Sequence, residues 1–156
     1  MIPEPAVTFD NLKQLAERRH STRWFEQRPV EHEKIDAALE VALEAPSACN
    51  RQPFEFRIFD DEEKIRELCK LPIGVSGYKE NIPCLAVLVG KHRAYFNERD
   101  KHLIYIDTSL AAMGFQYALE TQGLSTCCIN WPAIPSREQK LREVLNLEDD
   151  EEAVML

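Results

Sequence analysis

The sequence predicts an α+β fold, a sheet covered by helices, and three observations carry that reading. Stretches with apolar residues at i, i+3 and i+4 alternate along the chain with short strand-like runs. One such run, Cys84-Leu85-Ala86-Val87-Leu88-Val89, is apolar without a break, as a strand buried on both faces requires. The stretch Leu110-Ala111-Ala112-Met113-Gly114-Phe115 is helical in pattern and apolar nearly all round, so it must be enclosed on several sides.

Each element follows from local chemistry. Residues 1–7 hold two prolines and read as a loose arm. Phe9 to Arg19 forms a first helix, with Thr8 or Asp10 as cap and Leu12, Leu15 and Ala16 on one face. His20 to Pro29 is a loop. Glu31 to Ala45 is a second helix with Ile35, Ala38, Leu39, Ala42 and Leu43 in helical spacing, and it stops at Pro46 because the residue before a proline avoids the α region. Phe54, Phe56 and Ile58 alternate with Glu55 and Arg57, a strand exposed on one face. Asp60-Asp61-Glu62-Glu63 opens a third helix to about Leu71, its acids placed where the helix dipole favours them.

After the buried strand, Leu103 to Gln122 is the long helix, capped by Gly123. Ser125 to Ile129 reads as a strand, Ser136 to Leu145 as a helix, and Ala153 to Leu156 as the start of a strand. Those four apolar residues follow an acidic run and look like an element cut short. Either the last strand is tucked inside or the chain is truncated, and truncation is the expectation.

Composition bounds the function. At 156 residues the chain is expected to form one domain, 1–156, large enough to bury roughly two-thirds of its unfolded surface. The 27 acids against 19 bases give a net charge of −8, which argues against a nucleic-acid or membrane surface. No apolar stretch approaches the roughly 20 residues of a membrane span, and the start of the chain lacks a signal pattern, so a cytoplasmic protein is expected. The five cysteines are odd in number, irregularly spaced and form no ligand set with the four histidines; reduced thiols and no structural zinc are expected.

Against this acidic background one segment stands out. From Arg18 to Arg28 there are four arginines, Arg18, Arg19, Arg23 and Arg28, against one acid, Glu26. Guanidinium groups beside the Ser21 hydroxyl can seat a small anion such as a phosphate. The residues alone leave open a solvated cluster at a helix end. They likewise leave Pro46–Pro53 as a plain helix-to-strand connection, and Cys127-Cys128 as strand interior.

Three segments together resemble the FMN-dependent nitroreductase family. Arg19-His20-Ser21-Thr22-Arg23-Trp24-Phe25 is similar to that family's signature after the first helix. Ala45-Pro46-Ser47-Ala48-Cys49-Asn50-Arg51-Gln52-Pro53-Phe54 resembles its A-P-S-x-x-N-x-Q-P-[WF] loop. Gly123 to Trp131 resembles the turn after its central helix. Order and spacing agree over residues 9 to 156.

The resemblance implies a three-layer α/β/α sandwich with a mixed, mainly antiparallel central sheet, in a homodimer with FMN at the subunit interface. By position, Arg19 and Ser21 are expected at the phosphate and ribityl chain, His20 beside them through its backbone, and Arg23 at the N1–O2 edge of the isoalloxazine. A fixed cation there favours the reduced, negatively charged ring. Pro46, Ser47, Ala48 and Asn50 would come from the other subunit and cover the ring. Cys128, Ile129 and Asn130 match the turn whose amide faces flavin N5. The resemblance further implies NADH or NADPH as donor and a small electron-poor acceptor, nitroaromatic or quinone-like.

Two departures qualify the match. The family's glycine-tyrosine-proline turn and its basic C-terminal segment have no counterpart among these residues. Trp131-Pro132 replaces small residues after the N5 turn and is expected to narrow the pocket or shift which amide reaches N5. Two rival readings are a specialised flavin dehydrogenase or dehalogenase on the same fold and a non-catalytic homologue without FMN; a short Gly90–Lys101 lid favours an open, promiscuous site.

Overall fold

The computed structural model describes residues 4–156. Five helices, α1 (Phe9–Arg18), α2 (His32–Leu43), α3 (Glu62–Leu68), α4 (Leu103–Thr121) and α5 (Pro135–Leu145), surround three strands, β1 (Phe54–Phe59), β2 (Leu85–Lys91) and β3 (Glu151–Met155). The sheet order is β1-β2-β3 and both ladders are antiparallel. Phe54 stands across from Gly90 and Phe59 across from Leu85. The β2–β3 ladder is irregular between Leu88 and Val89, where the register steps from Met155 to Ala153.

Helices lie on both faces of the sheet, giving three layers. On one face Leu85, Val87 and Val89 of β2 pack with Ile65 and Leu68 of α3, Leu141 and Leu145 of α5, and Trp131. On the other, Phe54, Phe56, Ile58 and Ala86 meet Phe115 and Ala118 of α4, which in turn packs on Ile35, Ala38 and Ala42 of α2. The unbroken apolar run of β2 is thereby explained, since each face belongs to a different core. Gly90 permits the close approach of α4. A Cβ there would lie 2.9 Å from Ile104 Cβ and 3.2 Å from Val154 Cγ2.

Helix ends follow their capping chemistry. The Thr8 side chain accepts from Asn11 N–H and Asp61 from Lys64 N–H, and Asn146 closes α5 in the left-handed conformation. The polar face of β1 is not simply solvated. Glu55 pairs with Lys91 and with Arg57, and Arg57 reaches the buried Glu151 at 2.9 Å. Arg57 also donates to the Leu145 carbonyl at the end of α5, so ion pairs and this bond occupy the face together.

The expected strand at Ser125–Ile129 is reduced to a remnant. Ile129 and Leu156 exchange both backbone hydrogen bonds, 2.7 and 3.0 Å, and Asn130 bridges Met155, but Ser125 to Cys128 join no ladder. The Thr126 carbonyl accepts instead from Thr22 N–H. No helix among the described residues is long and apolar enough to cross a membrane.

Candidate functional site

The basic island begins where α1 ends. Arg18 Nε donates to Glu120 Oε1 at 2.7 Å, and the Glu120 carboxylate is buried near the C-terminal end of α4. This pins α1 to α4 and turns the next residues outward. His20 Nδ1 donates to the Arg18 carbonyl at 2.8 Å, which tightens the turn. Arg19 and Ser21 follow, and no carboxylate among the described residues pairs with Arg19 or Arg23.

The loop then runs against the segment after α4. Thr22 N–H donates to the Thr126 carbonyl at 3.0 Å. Arg23 lies 5.9 Å from the centre of the Tyr78 ring, and its carbonyl accepts from Asn81. Tyr78 O–H stands 3.9 Å from Cys127 Sγ. The Tyr78 phenol is pushed up, by burial first and then by Cys127, with Arg23 pulling the other way. The Cys128 thiol is also raised, by burial and by Cys127, and Arg19 draws it back down. The first and third motifs are thus brought together, by the Thr22–Thr126 hydrogen bond and by Arg23, which is linked through Tyr78 to Cys127.

Beneath this junction lies an apolar cleft of about 350 Å³. Thr22 and Trp24 of the basic loop, Phe115 and Gln116 of α4, and Cys128 and Ile129 of the third motif border it. Of the residues the sequence singles out, Cys128 and Ile129 line the cleft; Arg19, His20, Ser21, Arg23 and Asn130 do not. The Ile129 amide is engaged by the Leu156 carbonyl, so it is not free to face a ligand. Trp131 does not border the cleft. Its indole is buried in the core with Leu141 and Leu145.

The second motif sits elsewhere. Ser47 Oγ–H, Ala48 N–H and Tyr95 O–H all donate to one oxygen, Asp107 Oδ2, at 2.7, 3.0 and 2.8 Å. Asp107 is only 2% exposed. Ser47 Oγ in turn accepts from Gln52 N–H. Cys49, Asn50 and Gln52 hold φ of 54°, 53° and 47°, left-handed values that are costly for residues other than glycine. Asp107 and its three donors hold the strained loop in place. Pro46 and Asn50 point to solvent.

Asp107 and Glu120 stand thirteen residues apart on α4, which separates their partners by roughly 20 Å at 1.5 Å per residue. Pro46, Ser47, Ala48 and Asn50 therefore lie at the opposite end of α4 from Arg19, Ser21 and Arg23. Sequence reasoning missed Asp107, Tyr95, Tyr78 and Gln116. An acid set among the apolar residues of the first half of α4 was the signal for Asp107.

The arrangement can be compared with known proteins. The nitroreductase family model matches residues 16–75 and 76–156. A Streptococcus pyogenes serotype M6 protein provisionally named NAD(P)H nitroreductase Spy0809 is 41% identical over 61 residues, 38% of this chain and 30% of that protein. The iodotyrosine deiodinase of Thermotoga neapolitana is 39% identical over 62 residues, 38% of this chain and 33% of that enzyme. In these matches the chain spans about a third of the length of the curated relatives. An FMN-dependent nitroreductase from Clostridium difficile R20291 superposes with a TM-score of 0.79 at 25% identity, covering 90% of this chain and 82% of that one.

Proposed function

The chain belongs to the nitroreductase family, and from that premise we propose that it is an FMN-dependent oxidoreductase that takes a hydride from NADH or NADPH and passes reducing equivalents to an electron-poor acceptor, nitroaromatic or quinone-like. One observation carries the reading: among the described residues of an acidic chain Arg19 and Arg23 have no carboxylate partner, and the Thr22–Thr126 hydrogen bond ties their loop to the third motif. Unpaired guanidinium groups next to an exposed Ser21 hydroxyl match a phosphate-bearing group, so the residues present fit the cofactor.

When bound, FMN supplies the hydride chemistry, accepting at N5 and delivering to the acceptor. The chain's own residues bind and orient. Arg19 and Ser21 would hold the phosphate and ribityl end, and the turn at His20 sets their direction. Arg23, steadied over the Tyr78 ring, would present its charge to the N1–O2 edge and favour the reduced ring. Of the third motif, Cys128 and Asn130 keep the amides that could face N5, because Leu156 engages that of Ile129. Pro46, Ser47, Ala48 and Asn50 would come from a second copy in a homodimer. The roughly 20 Å between the two ends of α4 supports that assignment.

The test is direct. Purified protein should show flavin absorbance or bind added FMN, and Arg19→Ala or Ser21→Ala should lower flavin retention at least several-fold. Protein that binds no FMN would sink the proposal. The likeness to iodotyrosine deiodinase favours a second reading, reductive dehalogenation on the same fold. Iodide release from iodotyrosine by the reduced holoprotein, with no turnover of nitroaromatics or quinones, would select it.

A further inference from the structure

The arginines of this chain are almost all accounted for. Arg18, Arg28, Arg57, Arg66, Arg93 and Arg99 pair with carboxylates. Arg137 donates to the Leu71 carbonyl, and Arg142 to those of Glu148 and Glu151. Among the described residues this leaves Arg19 and Arg23 with neither, and Arg51 with a single backbone carbonyl, that of Ala94. Two of them belong to the basic island. The third directly follows Asn50, at the edge of the strained loop.

Arg51 has no carboxylate partner among the described residues but is not loose. Its Nη1 donates to the Ala94 carbonyl at 2.5 Å, and its guanidinium carbon lies 5.7 Å from the Tyr95 ring centre and 5.0 Å from that of Phe96. Tyr95 is itself anchored on Asp107, the carboxylate that holds Ser47 and Ala48. The cation is therefore fixed relative to the loop, and its remaining N–H groups have no acceptor among the described residues. Phe96 is 89% exposed, which leaves a ring face open beside the charge. A cation held flat by aromatic rings, in a chain with 27 acids and 19 bases, is pre-organised for an anion that is not part of the chain.

We infer that Arg51, backed by Tyr95 and Phe96, is an anion subsite at the rim of the cofactor cleft, taking a phosphate or carboxylate carried by a ligand of that cleft. The inference rests on the proposed reading in one respect, that the Pro46–Asn50 loop borders the flavin of a second copy. The anion has two sources, a phosphate of the donor dinucleotide or an acid group on the acceptor. Arg51 recognises the chemistry they share.

The first experiment needs neither flavin nor a variant. Nitrogen-15-labelled wild-type protein is titrated with adenosine 2′,5′-bisphosphate, adenosine, 4-nitrobenzoate and 4-nitrobenzamide, and the Arg51 Nε–H signal is followed. A saturable shift with at least one of the two anions, and none with its uncharged counterpart, is expected. No shift with either anion overturns the inference, whether or not flavin is bound. The second experiment uses holoprotein and identifies the source. Arg51→Gln should raise KM about tenfold more for the anionic member of a pair than for the neutral one, NADPH against reduced nicotinamide riboside, or 4-nitrobenzoate against 4-nitrobenzamide. An equal rise within both pairs would make Arg51 a structural staple and overturn the subsite. Failure to bind FMN, with the signal shift intact, would count against the flavin reading alone.

Discussion

At the residue scale, the Asp107 carboxylate does work that no short-range pattern could announce. It lies in a helix of apolar neighbours, and its donors come from Ser47 and Ala48, far back in sequence, and from Tyr95 in the loop before α4. The sequence shows that an acid sits among apolar residues; it does not show where its donors lie. Leaving buried donors unsatisfied costs about 1–3 kcal/mol each, so Asp107→Ala should lose about 2–4 kcal/mol in urea unfolding, and Asp107→Asn, which keeps an acceptor oxygen, less than Ala. A loss under about 0.5 kcal/mol would mean that the three donors find other partners. The same cluster has a pH signature. Burial, and then the bond to Asp107, push the Tyr95 phenol up to about 12 from its ordinary 10.0. The folded state thus holds this proton more tightly than the unfolded state does. Its contribution is present in full below about pH 10 and is lost as pH rises to about 12. The urea midpoint should therefore fall over that interval in wild type and fall less in Tyr95→Phe; equal falls would remove Tyr95 from the account.

At the scale of elements, helices were legible because their signals are local. Thr8, Asp61, Pro46 and Gly123 mark ends that the fold keeps within a few residues. The strand expected at Ser125–Ile129 was not legible as a ladder member, since pairing depends on a partner. β3 meets it at Ile129 and Asn130, while Thr126 and Cys127 turn to Thr22 and Tyr78. Glycines show the same limit with opposite signs. At Gly90, in the central strand, an added methyl would meet the Ile104 Cβ at 2.9 Å, and the branched side chain there has little room to yield. At Gly114, inside α4, the nearest atom is the Val41 carbonyl oxygen at 3.4 Å, an ordinary contact. Gly90→Ala should destabilise by about 1–3 kcal/mol, as overpacking does. Gly114→Ala should be neutral or stabilise by up to about 1 kcal/mol through helix propensity. Thermal unfolding of the two variants side by side checks both; the same sign for both would contradict the packing described for the sheet and α4.

At the scale of the whole molecule, three motifs were readable in the sequence, and their distribution over two ends of α4 was not. Distances between segments are set by the helix that carries them. The unpartnered apolar surface has the same character. Phe9 and Leu12 of α1 form the apolar side of an amphipathic helix, yet they stay exposed, as do Ile106 and Leu110 of α4. The proposed homodimer would give that surface a partner, and it would make each flavin site composite. Composite sites have a consequence in mixed dimers. One variant carries Arg19→Ala, which disables the basic island, and a second carries Ser47→Ala with Asn50→Ala, which disables the covering loop. Either homodimer then has two defective sites. In the heterodimer, one site draws its basic island from the loop variant and its loop from the Arg19→Ala chain, so it is intact; the other site is doubly defective. A one-to-one mixture assembled at random should therefore recover about a quarter of the wild-type flavin content, because half of the dimers are mixed and each holds one good site. If each chain built its site alone, every site in the mixture would keep one lesion and no flavin would return. Absorbance of the mixed sample after unbound flavin is removed separates the two arrangements, and recovery at the level of the homodimers would place the Pro46–Asn50 loop outside the partner's site.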